Sequence, residues 1–337
     1  MKSVLKKIME GNSLSEKEAF NLLSNITENN IHEAQIGAIL GALRTKGETS
    51  DEISGFAKYL KEKAIIFPYQ EEEKEVLIDT CGTGGDDIGS FNISTAVAFV
   101  LASAGMKVAK HGNRSVSSRC GCADVLEELK IPLNLLPEES AVELKKKNFA
   151  FLFAPTYHPS FKKLALIRKS IQVRTIFNLL GPLLNPAGVK RQLIGVFDSS
   201  YVYKMAEALK KLGHQEAMVV HGHDGMDEYS ISGPTHVAHL KNGEIKELTV
   251  KPEDFGLKTA SIEDIRGGDR RENADILENV LNGKIEGAKR DIVSLNAGAA
   301  LYIGGKTKNF KDGVSLASSL MIQGKAYNTL DNARMRG

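Results

Sequence analysis

The sequence predicts an α/β protein in two parts: a small all-helical domain, and a larger α/β domain with a mostly parallel central sheet covered by helices. Three observations carry this expectation. The first 67 residues carry helix-start signals and read as helical throughout. From Val76 onward, short apolar runs alternate with helix-length segments, the signature of βα units that bury a parallel sheet on both faces. Between these regions, Pro68 and the acid-rich stretch Gln70–Glu75 read as a linker.

In the helical part, Ser15 with Glu18 and Thr49 with Glu52 have the spacing of capping boxes. Gly47 fits the stop of a helix over Glu33–Lys46. That helix carries Gly37, Ala38, Gly41 and Ala42 on or near one face, small residues that admit another helix at close range. The approaching helix belongs either to this chain or to a second subunit. In the α/β part, the strand candidates are Val76–Thr80, Met106–Lys110, Ala150–Ala154, Gln192–Phe197 and Glu216–His221. Helix candidates between them include Ile93–Ala104, Ala123–Leu129 and Tyr201–Leu212. Asn242-Gly243 separates two strand-like runs, His236–Leu240 and Ile245–Val250, and predicts a hairpin at an antiparallel edge. The remaining C-terminal residues read as helix, punctuated by Gly267-Gly268 and Gly304-Gly305.

Composition narrows the classes of function. A chain of 337 residues has room for two well-buried cores. With 42% hydrophobic and 26% charged residues it reads as an ordinary soluble globular protein. Its net charge of +2 gives no overall attraction to nucleic acid or membrane. The best apolar run, Val97–Ala104, is far too short to span a bilayer, and residues 1–10 lack the apolar core of a signal peptide. The three cysteines, Cys81, Cys120 and Cys122, have no metal-finger spacing and suit a reducing cytoplasm.

Four segments follow strand ends, where parallel sheets bind ligands. Asp79-Thr80-Cys81-Gly82-Thr83-Gly84-Gly85-Asp86 joins a strand to the helix opened by Asn92-Ile93-Ser94-Thr95. A glycine turn and a helix N-terminus offer backbone N–H groups to a phosphate; a tight connection is the other reading. Asp87 replaces the third glycine of a dinucleotide fingerprint, and no Gly-Lys-Ser/Thr follows as in a Walker loop. The carboxylate of Asp86 beside a phosphate cradle points to a ligand with a sugar-like part, a cation, or both. Lys110-His111-Gly112-Asn113-Arg114, with Ser115, Ser117, Ser118 and Arg119, is a dense donor set for phosphate and carboxylate, or else a solvated loop. Val173–Pro186 contains Gly181-Pro182 and Asn185-Pro186 within an apolar stretch, which predicts a buried irregular path that lines a pocket or serves packing. His221-Gly222-His223-Asp224-Gly225-Met226-Asp227-Glu228 places adjacent carboxylates beyond a strand, suited to Mg²⁺ shared with ligand phosphates. Zinc lacks a third nitrogen or sulfur ligand at recognisable spacing.

In this order, Asp79–Asp86, Asn92–Thr95, Lys110–Asp124, Arg174–Pro186 and Asp224–Ser230 resemble the anthranilate phosphoribosyltransferase family over essentially the whole chain. The resemblance implies transfer of the 5-phosphoribosyl group of phosphoribosyl pyrophosphate to anthranilate, with release of pyrophosphate, in tryptophan biosynthesis. It implies that Gly82, Gly84, Gly85, Asp86, Asn92, Ser94, Thr95, Lys110 and Ser118 bind phosphoribosyl pyrophosphate. Gly82, His111, Asn113, Arg168 and Gly181 would shape the anthranilate site, with Arg168 pairing with the carboxylate. Ser94, Asp227 and Glu228 would hold Mg²⁺. Lys110 is the expected stabiliser of the leaving group, and His111 the one nearby imidazole for proton traffic. The resemblance also implies a helical domain of residues 1–67 completed by about 158–178, and a large domain of 74–157 and 179–337. It further implies a cleft between these domains and a cytoplasmic homodimer formed through the helical domain, with no nucleic-acid or membrane partner. Cys120 and Cys122 depart from the small or hydroxyl residues common in that stretch. Two other readings of the same fold are a pyrimidine nucleoside phosphorylase and a non-catalytic nucleic-acid-binding relative.

Overall fold

Helix-start chemistry sets the N-terminal part of the computed structural model, which describes all residues except 1, 29–30, 71–75, 87, 116–119, 161–163, 165–166, 168–169 and 336–337. Helices α1 (Lys2–Met9), α2 (Glu16–Glu28), α3 (Glu33–Lys46) and α4 (Ser50–Glu62) follow in order. Both capping boxes form. The Ser15 N–H donates to Glu18 at 2.8 Å and the Glu18 N–H to the Ser15 hydroxyl at 3.3 Å. Thr49 and Glu52 reciprocate in the same way at 2.9 and 3.3 Å. Gly47, at φ +86°, ends α3. A Cβ added at Gly37 or Gly41 would meet nothing within 4 Å. Among the described residues nothing packs against these two glycines, whereas Ala42 packs against a buried apolar cluster.

Seven strands form one sheet: β1 (Leu77–Gly82), β2 (Lys107–Gly112), β3 (Phe149–Phe153), β4 (Arg191–Gly195), β5 (Glu216–Gly222), β6 (Thr235–Lys241) and β7 (Glu244–Val250). Their order is β3-β2-β1-β4-β5-β6-β7. The first five are parallel, and β6 and β7 complete an antiparallel edge. Asn242 and Gly243 take φ of +50° and +80°, as their two-residue hairpin requires. β1 and β2 run two residues beyond the apolar pattern because Gly82 pairs with Gly195 and Gly112 with Phe153. Gly82, His111 and Gly112 are thus strand residues with fixed backbones.

Helices cover both faces. α5 (Ile93–Ser103) is followed by α6 (Cys122–Glu128), α7 (Pro137–Lys147), the short α8 (Ala154–Tyr157) and α9 (Phe177–Leu180), then α10 (Val202–Lys211). α11 (Arg270–Leu281), α12 (Ala288–Ile303), α13 (Phe310–Ile322) and α14 (Lys325–Ala333) complete the chain. Ile78, Val108, Leu193 and Val220 face one core with α5, α12 and α13. Ile194, Ala217 and Val219 face a second core, which also takes in α1–α4, Leu164, Ile167, Ile176 and α10. This alternation puts apolar side chains on both faces of the central strands.

Candidate active site

The chain leaves β1 towards β2 and β3, then returns to β4 on the opposite side of β1. The crevice beyond the carboxyl ends of β1 and β4 is the switch point where such sheets bind ligands. The glycine turn fills its floor. The Thr83 N–H donates to the Gly195 carbonyl at 2.9 Å, and the Phe197 N–H donates to the Thr83 hydroxyl at 3.0 Å. Gly84 and Gly85 take φ of +70° and +76°, conformations that favour glycine. A Cβ on Gly82 or Gly195 would overlap Asp227, so these glycines make room for that residue.

Asp227 and Glu228 lie just past β5 and are 9% exposed. The Gly84 N–H donates to Asp227 Oδ2 at 2.6 Å, and the Ser94 N–H, at the start of α5, donates to the Glu228 carboxyl. Two of the backbone donors expected to hold phosphate are therefore held by carboxyl groups. Asp86 faces the same point: its side chain hydrogen-bonds to Asp227 and opposes its ionisation. Burial first, then the Asp86 charge, pushes the Asp227 carboxyl up to about 7. Burial and the neighbouring Asp227 charge push Glu228 up as well. Lys110, 1% exposed, lies beneath; its Nζ donates to the Thr80 carbonyl at 2.6 Å and the Ser94 hydroxyl at 3.3 Å. Its charge favours ionisation of Glu228 and of the buried Asp79.

This acidic wall fits a hard cation: two adjacent oxygen donors are buried at a cost that a positive charge would offset. Among the described residues, no group of three or more Asp, Glu, His or Cys side chains is arranged to hold a metal alone. The site suits an ion that brings further oxygen ligands from a bound phosphate.

A second wall, at the end of β2, is built from imidazoles and the Gly181 segment. Instead of the irregular path expected, α9 runs into a 3₁₀ turn, Gly181–Leu184, opened by Pro182 where the missing N–H is harmless. His111 hydrogen-bonds to the Gly181 backbone, and its ring meets that of His158 edge-on at 5.2 Å. His158 Nε2 donates to the Leu184 carbonyl at 2.9 Å. Burial lowers His111 to about 3 and His158 to about 4, so both rings are neutral near pH 7. A proton taken up by His111 would have to offset the cost of charging a buried ring. Among the described residues, nothing hydrogen-bonds to the buried His111 Nε2. A Cβ on Gly181 would project into open space.

Beneath the cleft lies a network that motif spacing did not single out. Asp79 Oδ2 accepts from Asn185 Nδ2 at 2.8 Å and Gln192 Nε2 at 3.3 Å, while Oδ1 accepts from the Thr80 N–H at 2.8 Å. Asn185 also donates to the Ala109 carbonyl at 2.7 Å, and Gln192 to the Pro182 carbonyl at 2.7 Å. Gln192 Oε1 in turn accepts from His214 at 3.2 Å. The network ties β1, β2 and β4 to the Gly181–Asn185 turn. The legible signal was an aspartate within an apolar strand.

The structure brings Gly82, Gly84, Gly85, Asp86, Ser94, Lys110, Asp227 and Glu228 together on one wall, and His111 and Gly181 on the other. Asn113 is exposed at the rim, its Oδ1 accepting from the Arg114 N–H at 2.8 Å. Three expectations change. Thr95 is fully buried, with its N–H bonded to the Asn92 carbonyl and its hydroxyl without a partner, so it offers the cleft no donor. Asn92 spends its side chain on the Cys120 carbonyl and on Asn273. Arg114, counted in the donor-rich loop, pairs instead with Asp124 at 3.0 Å and Glu127 at 2.7 Å. Ser118 and Arg168 lie outside the described residues. Arg174 reaches the glycine turn: its guanidinium donates to the Gly85 carbonyl and stacks 4.7 Å from the Phe197 ring centre. Cys122 packs against Gly112 and donates to the Asn113 carbonyl at 3.3 Å, while burial raises both the Cys120 and Cys122 thiols. These thiols are packing groups with little thiolate character.

Residues 2–64 match the glycosyl transferase family helical bundle domain, and residues 74–327 its a/b domain. The fold and cleft thus define a two-domain glycosyl transferase. Anthranilate phosphoribosyltransferase from Persephonella marina is 48% identical over 334 residues, covering 99% of this chain and 98% of that relative. The Petrotoga mobilis enzyme of the same name is 49% identical, over 97% of this chain and 94% of the relative. Among solved structures, the Thermus thermophilus anthranilate phosphoribosyltransferase superposes with a TM-score of 0.90 at 39% identity, covering 98% of each chain. The Saccharomyces cerevisiae enzyme in complex with phosphoribosyl pyrophosphate and Mg gives 0.87 at 28% identity, over 98% of this chain and 95% of that one. The chain belongs to the anthranilate phosphoribosyltransferase family. The nucleoside phosphorylase and nucleic-acid-binding readings are not favoured.

Proposed function

We propose that this chain transfers the 5-phosphoribosyl group of phosphoribosyl pyrophosphate to the amino nitrogen of anthranilate, releasing pyrophosphate, in tryptophan biosynthesis. The observation that carries this reading is the pair of unlike walls at the switch point, acidic and metal-suited on one side, neutral and imidazole-lined on the other. Asp227, Glu228 and the Ser94 hydroxyl are assigned to Mg²⁺, which when bound supplies positive charge against the departing pyrophosphate. Were Asp227 and Glu228 to hold the cation, the Gly84 and Ser94 N–H groups that they now occupy would be available to phosphate oxygens. Lys110 acts from beneath, where its charge favours negative charge developing above it. Asp86 is assigned to the ribose–pyrophosphate side of the ligand.

Anthranilate is assigned to the His111–Gly181 wall, with Asn113 at the rim and Arg168 pairing with its carboxylate. The aromatic amine is the nucleophile, so no covalent enzyme intermediate is needed, and positioning carries much of the rate. Residues of about 158–178 are assigned to the helical domain. Gly37, Gly41 and the exposed Ala38 of α3 are assigned to a homodimer contact, which light scattering of the wild type and of Gly41→Leu tests. Among the described residues no helix is long and apolar enough to cross a membrane, and we place the enzyme in the cytoplasm.

Mixing the protein with phosphoribosyl pyrophosphate, Mg²⁺ and anthranilate should quench anthranilate fluorescence as product forms. No loss of signal with well-folded protein sinks the assignment. Arg168→Ala should raise the KM for anthranilate roughly tenfold, as loss of a charge-assisted contact does. An unchanged KM removes Arg168 from the site.

A further inference from the structure

α12 is buried along almost its whole length, and among its alanines, leucines and isoleucines lies Asn296, fully buried. A buried amide in an apolar helix is unfavourable unless its hydrogen bonds are made. One of Asn296's goes to its own helix: Nδ2 donates to the Ile292 carbonyl at 2.9 Å. The other two leave the helix for a single residue. Asn296 Oδ1 accepts the Tyr229 N–H at 2.9 Å, and Nδ2 donates to the Tyr229 carbonyl at 3.0 Å. The asparagine thus serves the loop as a paired strand would, satisfying both backbone groups of the residue after Glu228. The Tyr229 side chain adds its own anchor, with its hydroxyl donating to Met218 Sδ at 3.1 Å and its ring packed edge-on against Phe310 at 5.2 Å.

We propose that Asn296 is a positioning residue for Asp227 and Glu228, an inference that rests on their assignment to Mg²⁺. A loop would otherwise let a flexible carboxylate pair wander. Asn296 holds the backbone on the far side of the pair, while Gly82 and Gly195 admit Asp227 closely on the near side. A donor and an acceptor fixed on one rigid helix hold both peptides that flank the Tyr229 Cα, Glu228–Tyr229 through its N–H and Tyr229–Ser230 through its carbonyl. Groups that orient metal ligands without touching the metal characteristically govern its affinity.

The test is Mn²⁺ uptake, followed by electron paramagnetic resonance of the free ion, with saturating phosphoribosyl pyrophosphate and no anthranilate, so that no turnover occurs. Asn296→Leu should weaken Mn²⁺ uptake by about tenfold or more, with the KM for anthranilate within about twofold of wild type. A lowered melting temperature with an unchanged Mn²⁺ isotherm would make the residue merely structural and overturn the proposal. Asp227→Asn separates the two layers: if it takes up Mn²⁺ as wild type does, the metal assignment itself fails. If only Asp227→Asn is impaired, the Asn296 inference fails alone. Should the leucine variant not fold, hydrogen exchange in the wild-type enzyme decides. The Tyr229 amide should exchange as slowly as the core of α12 without ligand, and fast exchange there refutes the clamp.

Discussion

The two walls of the cleft respond to the same physical force in opposite directions. Burial raises Asp227 and Glu228 and lowers His111 and His158, because removing water penalises whichever form is charged. On the acidic wall the penalty is unresolved. Asp86 and Asp227 oppose each other, and the carboxyl groups occupy the Gly84 and Ser94 N–H groups. On the imidazole wall the neutral state is comfortable, anchored to the backbones of Gly181 and Leu184. The contrast teaches which half must change on binding. On the proposed assignment the acidic wall would take a cation and rearrange its hydrogen bonds, whereas the imidazole wall would meet an aromatic amine in the charge state it already has.

The hardest blow to this comparison would come from the acidic side. Asp227→Asn combined with Glu228→Gln should lower Mg²⁺-dependent turnover by about a hundredfold or more, the scale of losing a preorganised charge in a transition state. The KM for anthranilate should move little. Wild-type rates at every Mg²⁺ concentration would remove the acidic wall from catalysis. A smaller effect probes the other wall: His111→Leu should raise the KM for anthranilate about tenfold, consistent with loss of one buried polar contact. If instead the wild-type pH–rate profile shows an ionisation near neutrality that His111→Leu abolishes, His111 is a base and the neutral wall is misread.

How far the walls were legible in the sequence follows from how local their causes are. The capping boxes, the Asn242-Gly243 hairpin and the βα alternation depend on residues a few positions apart, and they appear where local chemistry puts them. The glycine turn and the Asp227-Glu228 pair were visible as strings, but their mutual contact was not. The fit of Asp227 against Gly82 and Gly195 joins two strands and the loop after a third, all distant in sequence. Thr95 is buried here, and a helix-start hydroxyl looks the same in sequence whether it faces the cleft or the core. Arg114 was misjudged because its partners, Asp124 and Glu127, sit a helix turn apart on α6. Asp79 carried a readable hint, a charge in an apolar strand, yet its partners Asn185 and Gln192 could be named only once the parallel register was fixed.

The smallest expected effect compares the walls through stability. In the ligand-free enzyme the raised Asp227 binds a proton more tightly folded than unfolded, where its pKa is about 3.9. Its contribution is therefore fully present below that value and is lost as pH rises through about 7. Glu228 acts in the same direction. The lowered histidines act oppositely: His111, His158 and His214 contribute stability above their unfolded pKa of about 6.5 and lose it as pH falls towards 3 to 4. Between pH 6.5 and 8 the histidines still lose protons in the unfolded state and add stability as pH rises, so the carboxyl contribution is read as the difference between wild type and Asp227→Asn. Relative to Asp227→Asn, the wild-type melting temperature should fall by about 1 °C or more across that interval. Asp227→Asn should flatten the fall and melt higher at pH 8, since a neutral amide has no charge to desolvate. Saturating Mg²⁺ with phosphoribosyl pyrophosphate should flatten it too, by giving the carboxylates a partner. Parallel wild-type and Asp227→Asn curves would mean that the acidic wall carries no electrostatic load, and the contrast between the walls would collapse.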